Sequence, residues 1–346
     1  FCARQATRFG AILGRGVEHK RPSSVAVLRA ILLGQQNELS EDQRLQFRRS
    51  GTMHVFSISG MHIAVIAGGL QALLSLLRLP RPVQFAIGLA SLWLYVDITG
   101  GAPSAVRAFV MVALIQASLV LRLPLNPLSA ITTSALLVLL VAPLQLFSAS
   151  FQMSYGIVAA LLLLGLPLAD ESQSRLTLFR DLPKATWAWH HRLRDSLWRL
   201  IVSAAALGLA AALVSTVTGV LYFKLLTPGA FLVNLWVIPA GTAVILAGFA
   251  SLVCGCIGLS AGSVLSNHAA VLLLWAVEHG VDESVSLPGM WFDASFKTYW
   301  LGAVTLAVLL ASLGLGYARG WRGWARGYWA PFAVVAAALI LGVNYS

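Results

Sequence analysis

From residue 53 to its last residues the chain returns again and again to long apolar runs, and no other feature constrains its fold so strongly. A run of roughly 20 apolar residues is what a helix needs to cross the hydrocarbon of a bilayer. In lipid, backbone polar groups must be satisfied within a helix or around a closed barrel. The alternating strands of a barrel are absent, so the expectation is an all-α fold, a polytopic helical membrane protein. Composition agrees, with 58% hydrophobic and only 11% charged residues, where soluble domains carry about 25% charge. About ten spans are read: 53–79, 83–98, 105–121, 127–143, 146–168, 200–221, 226–257, 260–279, 299–318 and 328–344. The short ones invite tilt or re-entry. The seventh is too long for one straight helix and holds Pro228, Gly229, Pro239 and Gly241, which predicts a broken helix.

Residues 1–50 are polar and basic and read as a separate segment of short helices near a membrane surface, preceding a transmembrane domain over 51–346. Within them Ser40, followed by Glu41 and Asp42, is a helix N-cap with acids in the first turn. The net charge of +11 is what cytoplasmic charge bias produces, and an anionic substrate or lipid is the competing source. Arg319, Arg322 and Arg326 place 319–326 inside, whereas Asp282, Glu283 and Asp293 place 280–297 outside. Counting back leaves 169–199 in the cytoplasm, where Arg175, Arg180, Lys184, Arg192, Arg194 and Arg199 outnumber the acids. "TWAWHHRLRDSLWRL" there reads as a basic amphipathic helix at the interface. Both chain ends then lie outside. Arg48 and Arg49, just before the first span, fit that poorly. Cys2, Cys254 and Cys256 suggest neither a metal site nor a disulfide framework.

Four polar interruptions carry the chemistry. "HVFSISGMHIAVIAGG" (54–69) puts His54, Ser57, Ser59, Gly60 and His62 where lipid-soluble residues belong. On one helix His54 and His62 would lie about 80° apart, with Ser59 roughly 60° further round. Such a narrow polar stripe serves either helix packing or the lining of an aqueous path. "YVDITGGAPSAVRAF" sets Asp97 and Arg107 on either side of a Gly-Gly-Ala-Pro turn, with Ser104 between them. A hairpin there would bring the two charges together as an ion pair, or leave Arg107 and Ser104 at a helix start to meet a phosphate. "FQMSYG" places Gln152, Ser154 and Tyr155 in a span, as glue between helices or as path. Asn234 sits between two helix breaks, as in membrane proteins that open backbone groups to a cavity. No Walker A loop, HExxH or Ser-His-Asp context is present, so no catalytic residue, metal or cofactor is expected, and the chain itself is read as a non-enzyme.

"FRRSGTMHVFSISGMHIAVIAG", "TGGAPSAVRAF", "FQMSY" at 151–155, and Asn234-Leu235 with Pro239 follow one another in the order of four family elements. Together they make the chain resemble the membrane-embedded competence domain of the ComEC family over roughly residues 25–260. The resemblance implies a channel in the cytoplasmic (inner) membrane that passes single-stranded DNA inward during natural transformation. It carries over Ser59, Gly60, His62, Arg107, Gln152 and Asn234 as the family's recurring polar positions. Ala142 stands before Pro143 where the family often has Asp. Longer members also carry external OB-like and metallo-β-lactamase-like domains. Neither is present in these residues, so nuclease activity is not carried over. Expected partners are single-stranded DNA, membrane lipids, a cytoplasmic motor ATPase and an external DNA receptor or nuclease. The competing reading is a secondary transporter of a small anion or lipid-linked metabolite that uses protonatable histidines.

Overall fold

Helices make up nearly all of the molecule, as the apolar runs require. The computed structural model describes residues 2–56, 58–124, 126–176, 178–179, 187–321 and 328–345. In chain order the helices are α1 (Cys2–Gly14), α2 (Pro22–Leu33), α3 (Glu41–Arg49), α4 (Gly60–Leu76), α5 (Arg81–Ile98), α6 (Pro103–Val120) and α7 (Pro127–Val141). They continue as α8 (Ala149–Ala160), α9 (Leu166–Arg175), α10 (Trp189–Thr218), α11 (Ala230–Cys256), α12 (Ser260–Ser286), α13 (Tyr299–Ala318) and α14 (Trp329–Gly342). Three short strands, β1 (Leu225–Leu226), β2 (Phe292–Phe296) and β3 (Val343–Tyr345), form an antiparallel sheet in that order. The chain divides into two units, residues 1–146 with 232–291, and residues 147–231 with 292–346.

In the first unit α2 is a core element. Eight of its residues are buried, among them Leu28, Ile31 and Leu32, in a cluster that also takes Ile63, Leu92, Val237 and Val244. The surface-lying segment expected over 1–50 thus forms helices, but one of them is interior. Ser40 does cap α3, accepting from the Gln43 amide while the Gln43 side chain accepts from the Ser40 amide. Along α11, Gly241, Gly248 and Gly255 recur every seven residues, and side chains of Val55, Leu32 and Ile12 press against them. Only a residue without Cβ allows an approach this close.

In the second unit a π-helical turn, Leu161–Gly165, joins α8 to α9, and another, Gly219–Phe223, ends α10. Leu164, Ala210, Val214, Leu309 and Leu313 fill its core. The sheet pairs Leu225 with Asp293 and Ala294 with Tyr345.

Several expectations change. Among the described residues six helices are long and apolar enough to cross a membrane and four more apolar helices are shorter, so a count of ten spans does not follow. The first apolar run becomes helical only at Gly60. The expected break in 226–257 is absent: α11 runs through Pro239, a residue that apolar helices tolerate when neighbours pack around it. Residues 189–199 are the opening turns of α10 rather than a separate interfacial helix. α12 extends to Ser286, so the first seven of the 18 residues in the supposed 280–297 loop are helix. Arg180, Lys184, Arg322 and Arg326 lie outside the described residues.

Candidate functional site

The polar stretch that follows α3 folds as a tight loop, so its groups do not line one helix face. Gly51 turns with φ +70°; the Thr52 amide then donates to Phe47 O at 2.9 Å and the Val55 amide to Thr52 O at 2.8 Å. Apolar side chains pin it. Val55, Phe56 and Ile58 are buried, and Phe56 stacks on Phe47 of α3 at 3.6 Å. His54 points outward, its Nδ1 3.2 Å from Gly51 O. Ser57 lies outside the described residues.

At the start of α4, His62 turns back on Ser59. Its Nδ1 accepts from the Ser59 amide at 3.3 Å and lies 3.0 Å from Ser59 Oγ. A ring nitrogen that accepts an amide proton leaves the proton of the neutral imidazole on the other nitrogen. That nitrogen, Nε2, is buried and makes no hydrogen bond of good geometry, although the Val55 backbone is near enough to act on the ring. His62 itself is fully buried.

The second motif closes over the same place. Gly100 and Gly101 take positive φ, +91° and +61°, and return the chain from α5 into α6, which begins with Pro103 as proline favours. Ser104 Oγ donates to Ile58 O at 2.8 Å. One turn on, Arg107 is 1% exposed, with Nη1 3.5 Å from Gln145 Oε1. A Cβ on Gly60 would lie 3.7 Å from Ala108 Cβ. Ser59, Gly60, His62, Ser104 and Arg107 therefore converge. Asp97 does not join them. It is exposed on α5 and accepts from Cys2 Sγ at 3.1 Å, so the expected pairing with Arg107 does not form.

α11 lies over this loop through Gly241, where a Cβ would come within 2.8 Å of Val55 Cγ1. Thr242 Oγ1 stands 4.0 Å from Met61 Sδ. Asn234 is almost two turns earlier on α11, half-buried, and its Oδ1 is buried without a hydrogen bond. Gln152 and Ser154 belong to the second unit, where Gln152 Oε1 accepts from Tyr222 OH at 2.6 Å. Sequence reasoning missed Gln145, 38 residues from Arg107 with no local signal. It also missed the glycines of α11, whose spacing of seven was visible. Among the described residues no three His, Cys, Asp or Glu side chains stand close enough to hold a metal ion.

The model of one protein family, described as "Competence protein", matches residues 31–320. The chain is also similar to ComE operon protein 3 of Bacillus subtilis (strain 168), at 30% identity over 142 residues. That match takes in 41% of this chain and 18% of the relative. No solved structure matches.

Proposed function

The chain belongs to the competence protein family, and on that premise we propose that it is the membrane conduit through which single-stranded DNA enters the cytoplasm in natural transformation. Arg107 carries the reading. Its guanidinium stays charged at any working pH, yet it is almost fully buried, one turn beyond Ser104 and against the start of α4. A cation held inside a membrane domain is costly and marks a pathway for charge. A forked donor suits phosphate, and the same helix starts carry the Nε2 proton of His62 and the Ser59 and Ser104 hydroxyls, which reach a phosphate on leaving His62 Nδ1 and Ile58 O. Several weak donors grip a polyanion without trapping it, which conduction requires.

Arg107 and His62 are both closed off from solvent, so a strand reaches them only when the packing around the starts of α4 and α6 opens. A duplex does not fit between packed helices, whereas a single strand threads a seam of small residues. Catalysis is left to other proteins or domains in this reading: an external receptor and nuclease deliver the strand, and a motor ATPase at the basic 169–199 segment draws it in. The protein then resides in the cytoplasmic membrane with both ends outside.

The deciding experiment follows labelled DNA into cells that carry the wild-type gene, a deletion or Arg107→Ala. Loss of internalised strand in both mutants, with surface-bound DNA unchanged, supports the conduit. Normal uptake in the deletion overturns it and favours transport of a small anion.

A further inference from the structure

A second polar feature of the first unit stands apart from Arg107 and carries charges of both signs. At the C-terminal end of α12 a cavity of about 370 Å³ is lined by Lys20, Arg21, Trp275, Glu278 and Asp282, among others. Its carboxylate floor is built. Glu278 Oε2 accepts from Ser24 Oγ and Oε1 from Gln43 Nε2, both at 3.0 Å, which fixes the anion between α2 and α3. Asp282, one turn on, is exposed. Across the opening the Arg21 guanidinium lies 5.6 Å from the centre of the Trp275 ring, and Lys20 beside it is exposed.

We propose that this cleft binds the phosphoethanolamine headgroup of a membrane phospholipid. The polarity of α12 argues for a lipid rather than a soluble zwitterion. Leu265, Leu272, Trp275, His279 and Asp282 are all exposed, and at about 100° per residue they fall on one face. Asn267, Ala270, Leu274, Val277 and Val281 are buried on the opposite one. Apart from His268, which is exposed on the same face with its Nδ1 2.9 Å from Val264 O, the exposed stripe runs from aliphatic through aromatic to charged, over about 26 Å from Leu265 to Asp282. That is the order of tail, glycerol level and headgroup in a bilayer leaflet, with tryptophan at the interface.

Charge selects the headgroup. Lys20 and Arg21 suit the phosphate. Glu278 and Asp282 then need a cation that can donate hydrogen bonds, which a primary ammonium does and a choline does not. The same two carboxylates repel a purely anionic lipid, and they repel DNA, so the cleft serves the bilayer and not the strand.

The test is native mass spectrometry of the purified full chain, released from micelles holding phosphatidylethanolamine, phosphatidylcholine or phosphatidylglycerol with matched acyl chains. Wild-type protein should retain about threefold to tenfold more phosphatidylethanolamine than either other lipid, the net worth of one ordinary hydrogen bond. Asp282→Asn should remove most of that preference, whereas Lys20→Gln, which touches the phosphate shared by both lipids, should lower retention of ethanolamine and choline lipids alike. Both positions are exposed, so either variant folds and reads the site independently. Equal retention of ethanolamine and choline lipids, a preference for phosphatidylglycerol, an unchanged preference in Asp282→Asn, or unchanged retention in Lys20→Gln would each overturn the proposal.

Discussion

At Arg107 charge and shape can be separated. Lysine keeps the charge but presents a point donor in place of a planar fork. Arg107→Lys should therefore retain a measurable fraction of uptake where Arg107→Ala retains none, counted as labelled strand protected from external nuclease. Equal loss in both would make the fork essential, and equal retention would remove Arg107 from the path. His62 contributes to the fold as well. It caps α4 through the Ser59 amide, so His62→Ala should cost about 1–2 kcal/mol in detergent-solubilised thermal unfolding, the scale of a lost helix cap. The residue types of this site could be read from the sequence, because Ser, His and Arg in an apolar run are conspicuous. Their contacts could not. Ser104 meets a backbone carbonyl 46 residues away, and nothing local encodes that.

Among the elements, α11 is where the sequence misled most and where packing explains why. Pro239 and Gly241 read as a break when taken alone. In the folded unit Gly241 is instead the contact that admits Val55, and Gly248 and Gly255 admit Leu32 and Ile12 in the same way. A Cβ on Gly248 would fall 2.1 Å from Leu32 Cδ1, so Gly248→Val must displace α2 or strain a rotamer. Overpacking of that kind costs about 1–3 kcal/mol. The expected outcome is a lowered melting temperature that Leu32→Ala partly restores, since it empties the space the valine needs. Failure of the double variant to recover would show that α11 and α2 are not coupled through this contact. By contrast, the turn at Gly100–Pro103 and the cap at Ser40 were readable, because each depends on four neighbouring residues and on no partner helix. Span number was harder to read. Hydropathy marks where apolar residues cluster, not how long a helix they form: α4, α7 and α14 are apolar and read as spans, but each falls short of the length that crosses a bilayer.

For the whole molecule the net charge of +11 and the buried position of Arg107 make different demands on DNA, and together they separate association from passage. Exposed lysines and arginines hold a strand by releasing counterions, so the affinity of purified protein for single-stranded DNA should fall steeply with salt. Each phosphate engaged contributes a slope of about 0.7 in a plot of log K against log salt. Arg107 is 1% exposed and takes no part while the site stays closed. Arg107→Ala should then leave both the affinity, within about twofold, and the salt slope almost unchanged, even as uptake in cells is lost. A matched drop in affinity would mean that the seam opens without help and that the strand reaches Arg107 at equilibrium. Salt-insensitive association would contradict a polyanion path, because the neutral donors of the site act only at contact and the cations are what draws a strand to this molecule from solution.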